Sequence, residues 1–122
     1  MSATRINPRE WTEVIDGWYV RHLVDGRVEI HKDVSANLTF AQWGALWEAK
    51  VCDDVQYPFT FRSRPYTRVE TYFVNGSAIF GYEITARTNQ TTHFPTVFAL
   101  RPSNVSNASI GVGLFATGWP PS

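Results

Sequence analysis

Aromatic rings and planar polar groups gather in stretches that turn signals mark as loops. Trp43 and Trp47 fall in one, Asn75 in a second, and Arg87, Asn89, Gln90 and His93 in a third. Such a set suits carbohydrate: flat rings cover the apolar side of a sugar, while amides and guanidinium groups satisfy its hydroxyls. Tryptophans in a small β domain also serve as core or interface anchors, and from the residues alone both roles stand. Arg62, Arg64 and Arg68 form a basic cluster near a turn. They are placed to pair with acidic residues of an adjacent subunit or to hold an anionic sugar.

Catalytic constellations are harder to assemble. A glycosidase needs two carboxyls about 5–10 Å apart, one with a raised pKa. Asp53 and Asp54 are sequence neighbours that read as a solvated turn. His22 and Glu29 can touch across a hairpin as a base and its orienting carboxylate. An exposed cross-strand pair is the better account of them, and no nucleophile sits in a strand–turn–helix context. His22 and His31 are expected as diagonal neighbours on one hairpin face, with His93 arriving from a loop, but the H-x-H pattern of a shared metal is absent. We expect no enzyme activity, no metal and no cofactor.

Composition narrows the class. The chain has 122 residues, 11 basic and 11 acidic, which fits one domain at about 100–200 residues each. Burial of roughly two-thirds of the unfolded surface supports a core without staples. Aromatic content of 15% argues against disorder. Zero formal charge and two lysines, Lys32 and Lys50, argue against a nucleic-acid partner. The lone Cys52 allows no internal disulfide. Apolar runs are too short to insert into a membrane, and residues 1–5 lack a secretory pattern, so synthesis in a cytosol is expected. Charge divides unevenly: residues 1–61 carry nine acidic and six basic groups, residues 62–122 two and five. After Arg101 no side chain ionises, as expected of a segment buried in a sheet or against another subunit.

The elements that must position these groups are short strands. Residues 1–17 read as a polar arm or connector, with Trp11, Val14 and Ile15 spaced for a helical turn or two. Runs 18–24 and 27–32 flank Asp25-Gly26, which predicts a two-residue type I′ hairpin. That register pairs Leu23 with Val28, His22 with Glu29 and Arg21 with Ile30. It puts Tyr19, Leu23, Val28 and Ile30 on the core face, with Arg21 an awkward companion. Residues 41–50 fit either a short helix or a loop and strand; we read the latter. Strands are expected at 57–61, 67–74, 77–87, 96–101 and 109–118, with Asn75-Gly76 as a hairpin turn. The pattern is an all-β antiparallel β-sandwich of about seven to eight short strands over residues 18–122.

Three phrases carry a family resemblance. Trp18–Glu29 is similar to the "W-x-x-R-x-x-x-D-G-x-x-E" hairpin of small C-terminal domains on phage and prophage tail proteins. Tyr57–Pro65 resembles their "Y-P-F-x-F-x-x-x-P" segment. Ala116–Trp119 resembles their final "A-x-G-x-W" strand, with Gly118 and Trp119 adjacent here. The three occur in the expected order over roughly residues 18–119. The resemblance implies an H-type-lectin-like receptor-binding tip domain of the virion tail, produced in the bacterial host cytoplasm. It further implies a homotrimer that joins other tail proteins and attaches to host cell-surface polysaccharide. Trimer formation would bury part of Phe115–Trp119. A structural tail or baseplate protein that contacts only other virion subunits is the alternative. Among the loop groups, Trp43, Trp47, Asn75, Arg87, Asn89 and His93 are the expected carbohydrate-binding residues.

Overall fold

A computed structural model describes residues 9–75, 81–85, 90–102, 104 and 108–121. Nine strands form among them: β1 Trp11–Ile15, β2 Trp18–His22, β3 Val28–Leu38, β4 Ala41–Trp43, β5 Leu46–Cys52, β6 Tyr66–Asn75, β7 Gly81–Thr85, β8 Thr96–Arg101 and β9 Ala108–Gly118. They make a five-stranded sheet, β1-β2-β3-β9-β6, and a four-stranded sheet, β4-β5-β8-β7. All pairings between them are antiparallel. The all-β sandwich expected from the strand spacing is therefore present. No described residue is helical, so no helix is long and apolar enough to cross a membrane.

Period-two alternation explains the core. On β9, Ala108, Ile110, Val112, Leu114 and Ala116 point inward and are buried. Val28 and Ile30 of β3 and Trp18 and Val20 of β2 join them, facing Ala49, Val51, Val97 and Ala99 of the smaller sheet. The buried Trp18 indole donates to the Gln56 carbonyl at 2.9 Å, which removes the cost of hiding its N–H.

Both Asp-Gly dipeptides turn a hairpin, but differently. Asp16 and Gly17 have φ of 52° and 82°, both positive, as a type I′ turn requires. Ile15 pairs with Trp18 across it, so the N-terminal segment is an edge strand of the main sheet, not a helical turn on a separate arm. Between β2 and β3 the expectation fails by one residue. Gly26 has φ of 96° but Asp25 is not in the left-handed region. Gly26 N donates to Leu23 O at 3.0 Å and Leu23 N to Arg27 O at 2.8 Å. The loop is therefore three residues, a turn closed by a glycine bulge, and His22 faces Val28 while Arg21 faces Glu29. A one-residue slip exchanges the two faces. Val20 enters the core and Arg21 leaves it.

Other expectations also move. Tyr57–Phe61 is not a strand. Pro58 has no N–H to give a ladder, and the segment is instead pinned to the 91–94 loop by Tyr57 N to Thr92 O at 2.8 Å and Phe61 N to Thr91 O at 2.9 Å. Its Tyr57 and Phe61 rings cap the core, 4.9 Å apart and edge to face. β6, which ends at Asn75, borders β9, whereas β7 borders β8 in the other sheet; Gly76 of the expected hairpin turn lies outside the described residues. The expected strand positions 77–80 and 86–87 lie outside the described residues.

Candidate functional site

Trp43 and Trp47 sit on the β4–β5 hairpin rather than in a loop. Trp43 pairs with Leu46 and Trp47 with Gln42, so the rings leave opposite faces. Trp47 packs against the core, whereas Trp43 is exposed. His93 bridges to Gln56 and lies 3.6 Å from the Asp54 carboxylate, with Nδ1 2.8 Å from the Thr92 hydroxyl. Asn75 ends β6 opposite Ser109, with only its backbone described; Arg87 and Asn89 lie outside the described residues. Trp43, Trp47 and His93 are not brought to one surface.

The two acid–base candidates are also rearranged. Glu29 faces Arg21 on the outer surface, with Arg21 NH1 to Glu29 Oε1 at 3.2 Å. His22 is on the other face, 2.6 Å from Glu13 Oε2 and stacked on Trp11 at 3.7 Å. The register slip that separates His22 from Glu29 also puts His31 on the face opposite His22. Among the described residues no group of three metal-ligating side chains forms. Asp53 receives Thr96 Oγ1 at 2.7 Å and lies 3.4 Å from Lys50. Burial pushes the Cys52 thiol up to about 11, which leaves little thiolate at neutral pH.

What converges instead is the end of the main sheet where β9 stops. Thr117 lies between Glu29 of β3 and Tyr66 of β6 in one cross-strand row. Beyond Gly118 the chain leaves the ladder, because Pro120 and Pro121 cannot donate to it. Trp119 is held there by three contacts. Its carbonyl accepts from Arg62 N at 3.1 Å, the Arg62 guanidinium lies 5.7 Å from its ring, and its ring edge rests on Gly26. Arg62 Nε also donates to Pro120 O at 2.7 Å. On the neighbouring turn, Asp25 accepts from Arg27 N at 2.9 Å and from Arg27 Nε at 2.7 Å. The backbone N–H of Arg27, more than its guanidinium, holds the Asp25 carboxyl below its ordinary value. Pro65 then sets the entry to β6 and leaves Tyr66 87% exposed.

These side chains enclose a cleft of about 280 Å³, lined by Arg27, Arg64, Tyr66, Thr117, Gly118 and Trp119. A Cβ on Gly118 would stand 3.0 Å from Phe61, so a larger residue would crowd the cleft floor against the core. A second cleft, of about 270 Å³, shares Arg64, Pro65 and Tyr66 and continues past Gln90 to Tyr57. The Tyr57 hydroxyl is buried with no partner among the described residues, and burial moves its pKa well above the ordinary value. A third, of about 370 Å³, shares Thr117 and runs over the outer sheet face. There Tyr19, His31 and Phe115 stack in register at 4.8 and 5.2 Å, and Arg68 covers Phe115 at 4.3 Å. Rings stacked on one another turn their edges outward. This row therefore forms the wall of a track more readily than a platform for a sugar face.

The three clefts thus adjoin one another, the first two through Arg64, Pro65 and Tyr66 and the first and third through Thr117. A wider depression of about 510 Å³ lies among Asp16, Lys32, Asp54, Gln56, Pro58 and Thr92. None of the exposed aromatic rings lines it. Tyr66 and Trp119 went unselected at the sequence level because both adjoin predicted strands. The available signal was their neighbours: Pro65 before one and Pro120 after the other break the alternation that would hide a ring. No family model matches the chain, and no similar curated protein or solved structure is found.

Proposed function

We propose that this chain is a non-catalytic attachment domain that binds an extended cell-surface glycan, as the receptor-binding tip of a phage or prophage tail. The observation that carries the reading is the set of three adjoining clefts that share lining residues, with the exposed Tyr66 and Trp119 rings at the middle one. Each cleft is near the lower end of the range for small-ligand sites, about 300–1,000 Å³. Together they suit several linked sugars better than one compact ligand. Aromatic rings supply the apolar contact, and Arg27, Arg64, Gln90 and Thr117 supply hydrogen bonds of the kind sugar hydroxyls need. The tail context rests on the ordered phrases at Trp18–Glu29, Tyr57–Pro65 and Ala116–Trp119.

Purified protein is tested for binding to immobilised oligosaccharides and for adsorption to bacterial cells. Binding that grows with glycan length and falls on Tyr66→Ala supports the proposal. A folded domain that binds no glycan and no cell overturns it. That result would favour a purely structural virion protein, for which the exposed Trp11, Val14 and Tyr19 on the β1–β2 edge supply a contact surface.

A further inference from the structure

The described arginines of the sheet face and those of the end cleft differ in their partners. On the sheet face Arg21 is shared between Glu10 and Glu29, and Arg68 lies 3.4 Å from Glu70. At the end cleft the pattern changes. Arg62 is held by the Pro120 carbonyl and the Trp119 ring, and Arg64 by the Gln90 amide oxygen at 3.5 Å. Among the described residues neither is paired with a carboxylate. The acidic group beside the cleft, Asp25, is bound to Arg27. The cleft is thus lined by two guanidinium groups, Arg27 and Arg64, with Arg62 against the Trp119 ring and one carboxylate, Asp25, beside it.

We infer that the cleft between Tyr66 and Trp119 takes a sugar residue bearing an anionic group, carboxylate or phosphate, with Arg64 as the charge-reading side chain. A planar guanidinium matches either anion through paired N–H donors. Arg64 is the better placed for this because its existing hydrogen bond is long and neutral, whereas the Arg27 guanidinium already holds the Asp25 carboxylate through Nε at 2.7 Å. Arg62 supports the site by holding Trp119 and adding positive potential. A neutral sugar could use the same rings, but it would leave the positive charge of the cleft unused. The inference rests on the glycan-attachment reading and specifies its ligand.

An array of oligosaccharides with one backbone in neutral, uronate-bearing and phosphate-bearing forms tests it. Wild type, Arg64→Gln and Lys50→Gln are compared. Wild type should bind at least one acidic form about tenfold or more tighter than the neutral form, the scale of one charge-assisted hydrogen bond. Arg64→Gln should remove that preference, read as the ratio of acidic to neutral affinity; Lys50→Gln, on β5 and outside the three clefts, should keep it. Which acidic form is preferred identifies the source of the charge. Equal binding of all three forms overturns the inference but leaves glycan attachment standing, as does a preference that survives Arg64→Gln. Absence of binding to every form overturns both.

Discussion

Tyr66 and Trp119 flank one cleft but differ in what they do for the fold. Tyr66 is 87% exposed, so Tyr66→Ala removes little packing. Its unfolding free energy from urea denaturation should stay within about 0.5 kcal/mol of wild type, while glycan affinity falls about tenfold or more, as for an aromatic anchor. Trp119 is 40% exposed and wedged between Gly26 and Arg62. Trp119→Ala should cost about 1–2 kcal/mol of stability from lost apolar contact, and weaken binding as well. Denaturation and binding measured on both variants separate the roles. Equal stability loss in the two would mean that Tyr66 is a packing residue.

The two hairpins of the main sheet show which parts of this fold could be read in advance. Gly17 has φ of 82° in a two-residue turn, a conformation costly for any side chain. Gly17→Ala should therefore destabilise the protein by about 1 kcal/mol or more, visible as a lower denaturation midpoint. Asp25 gives a prediction with a sign. Its carboxyl is held below the ordinary 3.8, chiefly by the Arg27 N–H. The carboxylate form therefore supports the turn above that value, and the support is lost as pH falls through the lower folded-state pKa. The Arg27 amide resonance should shift in that acid range, and Asp25→Ala should abolish the shift. Alternation along 109–118 and 96–101 made β9 and β8 legible, since each has one inward and one outward face. The Asp-Gly signal was less decisive, because the dipeptide fits a type I′ turn and also the last two positions of a three-residue bulged loop. Burial decides between them: only the longer loop sends Val20 inward with Ile30 and Arg21 outward to Glu29. Trp43 and Trp47 failed as a joint sugar site for a related reason. Being on a strand pair rather than a loop, they are governed by alternation and part to opposite faces.

At the scale of the molecule, the described five-stranded sheet ends on β1, where large apolar side chains are exposed. Trp11 is 53% exposed and Val14 64% on this edge strand, beside Tyr19 at 53% on β2. Natural sheets guard such edges with charge, proline or a covering partner, and β1 carries only Glu13 among its five residues. Self-association along this edge is the economical way to cover it, and the tail resemblance implies three copies. Light scattering should then give three times the chain mass, and Val14→Lys should shift the population to monomer by placing a charge in the contact. The variant also separates assembly from recognition. The clefts around Tyr66 are formed by β6, β9, Arg27 of the β2–β3 turn and loop residues Tyr57, Arg64, Gln90 and Pro95 within one chain. A monomeric Val14→Lys should therefore keep its affinity for a short oligosaccharide yet adsorb far more weakly to cells, because three linked sites add avidity that one lacks. If the monomer also loses the short oligosaccharide, the site is completed across subunits. If wild type is itself monomeric at high concentration, the β1 edge is covered by another partner and attachment must rest on a single site.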